Sequence, residues 1–284
     1  MKHSGNKVFL ITGVSSGFGR AFAQAAARAG HTVVGTVRRE SDIAAFEAID
    51  PLRTLAVLLD VTNFDAIEGK VASILAKFGR IDVLVNNAGY GHEGILEESP
   101  LEAMRHQFDV NVFGSVAMIK AVLPGMRERR SGHIINLSSM AGYTPLAGIA
   151  YYAGSKFAVE GISGVLAKEV APFGVKVTSL APGSFRTDWA GRSMIRSERS
   201  IADYDPLFDP IRKARHDKSG KQAGDPALAA QALLELVDME NPPVHLLLGD
   251  DALSIVRKQL AALNDEIDAF EPLSRSTDAS STLS

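Results

Sequence analysis

The chain has 284 residues, 46% hydrophobic and 22% charged, with no cysteine and a formal net charge of -3. That balance suits a folded chain with a large core, and the lack of cysteine excludes disulfides and thiolate metal sites and points to a reducing, cytoplasmic setting. Basic residues are scattered apart from Arg127, Arg129 and Arg130, leaving no stripe for nucleic acid, and no run approaches the roughly 20 apolar residues of a membrane span.

In chain order, apolar runs of strand length fall at Val8–Ile11, Thr32–Val37, Leu55–Leu59, Val83–Val85, His133–Leu137, Val175–Leu180 and Val244–Leu248. Between them the spacing predicts helices over Ala21–Ala29, Ala66–Phe78, Leu101–Met126, Tyr152–Val170 and Ala227–Val237. Near-continuous apolar strands separated by helices imply a parallel sheet covered on both faces, with a ligand crevice at the carboxyl ends of the strands. The expectation is one doubly wound α/β domain over residues 1–284 with a seven-stranded parallel sheet. Residues 190–224 break the rhythm, being long, charged and punctuated by Pro206 and Pro210, and read as a loop serving as a lid. Residues 274–284, rich in Ser and Thr, read as a loose tail.

Directly after the first strand comes Thr12-Gly13-Val14-Ser15-Ser16-Gly17-Phe18-Gly19, which opens an Ala-rich helix. Glycines here allow a tight turn and close backbone approach, so that amides at the helix N-terminus can hold a pyrophosphate. No Gly-Lys-Ser/Thr follows, so nothing reaches a γ-phosphate, and a dinucleotide is favoured over ATP.

Two further segments complete a pattern: Asn86-Asn87-Ala88-Gly89 after the fourth strand and Tyr152-Ala153-Gly154-Ser155-Lys156. Together with the glycine turn they resemble the short-chain dehydrogenase/reductase family, in order and spacing, from about Val8 to Trp189 and more weakly to Gly249. The resemblance implies a Rossmann-type fold and an NADP-dependent oxidoreductase acting on a small carbonyl or alcohol substrate. It assigns cofactor contacts to Gly13, Ser15, Ser16, Gly17, Phe18 and Gly19, to Asp60 and Val61 on the adenine side, and to Asn86, Asn87, Ala88 and Gly89. Pro182, Gly183 and Thr187 resemble the segment that meets the nicotinamide carboxamide. The helices at Leu101–Met126 and Tyr152–Val170 resemble those through which family members pair, so a homodimer or homotetramer is expected.

Tyr152 and Lys156, four positions apart in a helix, share one face. A neighbouring ammonium is expected to shift the tyrosine downward from its ordinary pKa of about 10, making it an acid/base. By the family pattern Ser139, thirteen positions earlier, orients the substrate oxygen, Asn111 holds a water leading to the lysine, and Lys156 also binds the nicotinamide ribose. Ser138 is the rival serine and Tyr151 the rival tyrosine; one helical step turns Tyr151 about 100° away from Lys156. NAD-specific members carry an acid at the end of the second strand, where this chain has Val37 followed by Arg38 and Arg39. Arg38 is therefore expected to pair with a 2′-phosphate, favouring NADP(H) over NAD(H). None of the seven histidines forms a metal-binding spacing, so no metal is expected. The reading from another class is an NADP(H)-binding regulator without turnover, against which the set Asn111, Ser139, Tyr152 and Lys156 argues.

Overall fold

The computed structural model describes residues 5–187, 189, 191 and 193–278. The chain runs β1 (Val8–Ile11), α1 (Gly17–Arg28), β2 (Thr32–Val37), α2 (Ile43–Glu47), β3 (Thr54–Leu58), α3 (Phe64–Phe78), β4 (Val83–Asn86) and β5 (Gly91–Glu93). It continues through α4 (Leu101–Phe108), α5 (Gly114–Glu128), β6 (Gly132–Leu137), α6 (Ala150–Val170), β7 (Val175–Pro182) and β8 (Met194–Arg196). The last elements are α7 (Asp205–Lys218), α8 (Pro226–Asp238), β9 (His245–Leu248), α9 (Asp250–Ala269) and α10 (Glu271–Arg275).

Seven strands form one parallel sheet in the order β3-β2-β1-β4-β6-β7-β9. Leu10 is in register with Val34 on one side and Leu84 on the other. Side chains alternate across a strand, so each strand feeds two cores. Phe9, Ile11, Val83, Val85 and Ile135 pack with Phe22 of α1 and Leu233 and Leu236 of α8. Leu10, Leu84 and Ile134 pack on the opposite face with Ile74 of α3, Met118 and Val122 of α5, and Leu166 of α6. Because both faces are covered, every residue of β1 and β4 is buried, and each large core side chain stabilises the fold by roughly 1.5–3 kcal/mol. Strand order reverses between β1 and β4, which opens a crevice at their carboxyl ends.

The expected doubly wound sheet is present, with β3 one residue earlier than read from the sequence. The expected lid loop is not a loop: among the described residues of 190–224, β8 pairs in parallel with β5 and α7 spans fourteen residues. Pro206 sits in the first turn of α7, where its fixed φ and missing N–H cost no hydrogen bond, so a residue read as a breaker starts the helix. The expected tail also begins later. Ser274 and Arg275 lie in α10, held by an Arg275–Glu271 ion pair of 2.6 Å and by the Ser274 hydroxyl donating to the Phe270 carbonyl at 3.2 Å, while residues 279–284 lie outside the described part.

The continuous helix 101–128, formed by α4, a five-residue π turn at Asp109–Phe113 and α5, is long and apolar enough by length and composition to cross a membrane. Run length in the sequence did not register it, because polar residues interrupt the stretch. Met118, Ile119, Val122 and Met126 on its inner side are part of the core beneath the sheet.

Candidate active site

The glycine turn is tied to the end of β4. Thr12 Oγ1 accepts from the backbone N–H groups of Asn87 (3.0 Å) and Ala88 (2.9 Å). Asn87 Nδ2 in return donates to the carbonyls of Thr12 (2.8 Å) and Gly13 (2.9 Å), and Gly13 N–H donates to Thr36 Oγ1 at 3.1 Å. The turn needs its glycines: Gly13 and Gly17 have φ of +72° and +55°, and a Cβ at Gly19 would lie 2.3 Å from the Gly13 carbonyl oxygen. Ser16 precedes α1 without capping it through its side chain, so its hydroxyl leaves the first-turn N–H groups uncovered. Phe18 packs instead against Phe22 and Phe185. Thr187 stands across from Gly17, its Cβ 3.7 Å from where a side chain would start.

The rest of the predicted cofactor set lies along the same edge. Pro182 ends β7, and Gly183 follows so closely against Asp251 that a Cβ would meet its carboxylate at 2.1 Å. Asp251 also accepts from the Ser184 N–H at 2.9 Å, fixing the loop that carries Thr187. Val61 is buried against Gly114, while Asp60 accepts from the N–H and hydroxyl of Thr62 at 2.9 and 2.8 Å, closing a turn after β3. Arg38 is exposed at the end of β2 with no hydrogen-bond or ion-pair partner among the described residues, whereas Arg39 is held by Asp42 at 2.9 Å. These features fit a dinucleotide: a cradle that side chains would fill, an open helix N-terminus and a free guanidinium beyond β2.

Tyr152 and Lys156 emerge together from the first turns of α6, both buried. Lys156 Nζ donates to the Leu137 carbonyl at 2.7 Å and lies 5.6 Å from the centre of the Tyr152 ring. Burial pulls Lys156 down to about 8, opposed by the charge of Glu160 one turn further on. Burial likewise raises Tyr152 to about 12, while polar contact with Ser139 and Trp189 acts the other way. The downward shift expected from Lys156 is therefore not the net result, because desolvation of a fully enclosed phenolate outweighs its neighbours. Trp189 lies over the phenol with ring centres 5.1 Å apart.

Ser139 begins a short 3-10 turn and accepts from Ala141 N–H at 3.1 Å, which sets its hydroxyl toward Tyr152. Ser138 is buried on the side of Gly142, and Tyr151 is committed elsewhere, donating to the Ser99 carbonyl at 2.7 Å and stacking on His92. Asn111 occupies the π turn, a form that often marks functional sites. Its amide donates to the Tyr90 carbonyl (3.2 Å) and Ser155 Oγ (3.1 Å), and its oxygen accepts from Tyr90 N–H (3.2 Å) beside Gly89. Asn86 and Asn136 join at 2.9 Å beneath the site, steadying the two central strands.

Sequence reasoning missed Glu160 and the acids that seat the segment after β7. Glu160 is buried, accepting from the hydroxyls of Tyr143 (2.7 Å) and Ser179 (2.7 Å) and contacting His245 Nδ1 at 2.8 Å. Its place four residues after Lys156 was readable as helical spacing. Glu93, at 2% side-chain exposure, takes Arg196 and Arg215 at 3.1 Å each. Glu98 takes Arg199 at 2.8 Å and the N–H groups of Ser200 and Ile201 at 2.7 and 2.8 Å. These pairings join residues about a hundred apart, which no local pattern reveals.

A doubly wound sheet with a glycine cradle at the crevice between β1 and β4 is a dinucleotide-binding arrangement, and similarity to known proteins gives its class. The short chain dehydrogenase family model matches residues 7–196, and the chain belongs to that family. An oxidoreductase of Botryotinia fuckeliana, BOA17, is 38% identical over 94% of this chain and 98% of its own. The 3-ketodihydrosphingosine reductase of Bacteroides thetaiotaomicron is 38% identical over 92% and 94%. Among solved structures, a short-chain dehydrogenase from Streptomyces avermitilis is 43% identical with a TM-score of 0.91, covering 98% of this chain and 100% of that one. Serine dehydrogenase in a closed form complexed with NADP+ is 29% identical with a TM-score of 0.73, over 85% and 94%.

Proposed function

We propose that this short-chain oxidoreductase uses NADP(H) to interconvert a carbonyl and a secondary alcohol, with Tyr152 as the acid/base. The observation that carries the reading is the meeting, at one sheet edge, of the buried Tyr152–Lys156 pair and Ser139 with a glycine cradle that opens onto the N-terminus of α1. When bound, the nicotinamide supplies or accepts the hydride. In reduction the Tyr152 hydroxyl gives its proton to the substrate oxygen, and in oxidation the phenolate takes that proton back. Ser139 orients the oxygen, Lys156 favours phenolate and holds the ribose, and Asn111 supports the approach to Lys156 from the π turn.

NADP(H) rather than NAD(H) is supported by Arg38, by the absence of an acid at Val37, and by the NADP+ complex of the related serine dehydrogenase. An apolar substrate is supported by the cluster of Tyr152, Ile149, Leu146 and Trp189 beside the reacting oxygen, and by the relative named for a ketosphingoid reduction. The segment carrying β8 and α7 closes over that cluster, excluding water. The test is cofactor consumption against grouped ketones and alcohols for wild type and Tyr152→Phe. Turnover in wild type that falls on the order of 10²- to 10⁴-fold in the variant, with cofactor binding kept, is expected; tight binding without turnover on any substrate indicates a regulator instead.

A further inference from the structure

Trp189 is the one tryptophan in the chain, and its indole is held on three sides. The ring lies over the Tyr152 phenol at 54°, with centres 5.1 Å apart. Its Cε2 packs so closely on Gly91 of β5 that a side chain begun there would approach it to 2.9 Å. Its backbone N–H donates to Thr187 Oγ1 at 3.4 Å.

Packing leaves one atom unexplained. Trp189 Nε1 is buried and has no hydrogen-bond partner among the described residues. An indole N–H can only donate, and a buried donor without an acceptor is costly, so folded proteins keep few of them. The polar contact between indole and phenol runs through Nε1, because the ring carries no other polar atom. The donor therefore faces an oxygen that is a weak acceptor as a phenol and a strong one as a phenolate.

That phenolate is short of other donors. Lys156 Nζ is turned to the Leu137 carbonyl at 2.7 Å and sits 5.6 Å from the centre of the phenol ring. Burial disfavours the charge, and Ser139, the other side chain in polar contact with the phenol, has the substrate oxygen to orient.

We propose that Trp189 Nε1–H is a catalytic hydrogen-bond donor to the Tyr152 oxygen, stabilising it as phenolate. The assignment rests on Tyr152 being the acid/base. In reduction the Tyr152 O–H bond breaks and its proton passes to the substrate oxygen; the electron pair left on the phenol oxygen accepts from the indole N–H, which keeps its own proton. In oxidation the same contact helps the phenolate form, and the proton taken from the alcohol restores the phenol.

A single tryptophan lets the test address one atom. Trp189→Phe removes the N–H with part of the ring, while benzothienylalanine, introduced in place of the tryptophan, puts sulfur where the N–H was and keeps the ring's shape. Both are compared with wild type and Tyr152→Phe in complex with NADP+. Tyrosinate absorbance against pH, read as the difference from Tyr152→Phe, isolates the ionisation of Tyr152; the pH profile of alcohol oxidation gives its kinetic counterpart. In both Trp189 variants the ionisation and the rising limb are expected to move up by about one pH unit, with kcat/KM below the limb about tenfold lower, as for a lost hydrogen bond to a charged group. An unmoved ionisation in the benzothienyl protein, or a change confined to KM, makes Trp189 an apolar wall and overturns the proposal. Undiminished turnover in Tyr152→Phe overturns the acid/base reading itself, and the proposal with it.

Discussion

Lys156 and Tyr152 lie in an enclosure that penalises charge on either, and Glu160 is the neighbour that keeps Lys156 cationic. In that scheme carbonyl reduction needs Lys156 protonated, so its kcat/KM is expected to hold through neutral pH and fall as pH rises through about 8. Glu160→Gln removes a charge that raises the Lys156 pKa, so the fall is expected at lower pH, by a fraction of a unit or more. A pH-rate profile in which the variant keeps the wild-type limb would remove Glu160 from this role. At the other end of the crevice, Arg38→Ala is expected to lower catalytic efficiency with NADP(H) about tenfold or more and leave NAD(H) nearly unaffected, since a charge-assisted contact with the 2′-phosphate is lost. Steady-state kinetics with both cofactors decide this, and an unchanged ratio contradicts it.

The segment around β8 and α7 is seated by buried carboxylates rather than by a large apolar face. Glu98 is held below the usual carboxylate range by the backbone N–H groups of Ser200 and Ile201 and by Arg199, with the Ser200 contact foremost. Glu98→Ala is therefore expected to loosen residues 193–218, giving several-fold faster proteolysis there and a raised KM with a smaller change in kcat; equal cleavage rates would show that Phe208, buried against Gly148, holds the segment alone. Elements that bury their own stripe were legible beforehand: β1, β4 and β6 as apolar runs, and α3 and α5 as amphipathic periods. The missed elements fail for identifiable reasons. In α7, Pro206 and Pro210 read as breakers although the first occupies a permissive position. In α9 the helical spacing of Leu253, Leu260, Leu263 and Ile267 was readable, but only Ala252 and Val256 of the helix are buried, so most of it adds nothing to the core that the strand pattern implies. The proximity of Tyr152 and Lys156 was legible because they are four apart on one helix, whereas the burial that shifts their pKa values is a property of the folded molecule.

For the molecule as a whole, acid sensitivity has a named contributor. His133 is buried in β6, contacts Thr178 Oγ1 at 3.0 Å, and is pushed down to about 3 by burial and, secondarily, by Lys176. A histidine neutral in the fold but able to protonate when unfolded contributes its stability above pH 6.5 and loses it as pH falls from there toward 3. His133→Gln is expected to flatten the decline of Tm over that window, read by thermal melts at stepped pH; a parallel decline in both proteins would place the acid sensitivity elsewhere. The account as a whole rests on hydride transfer at the crevice between β1 and β4, with Tyr152 moving the proton. The direct measurement uses NADPH deuterated at the transferring carbon, with a ketone from the active group, and reads the product by mass spectrometry. One deuterium on the carbinol carbon in wild type, and product formation lost in Tyr152→Phe while NADPH still binds, is the predicted result; product without deuterium, or undiminished labelling in the variant, would contradict it.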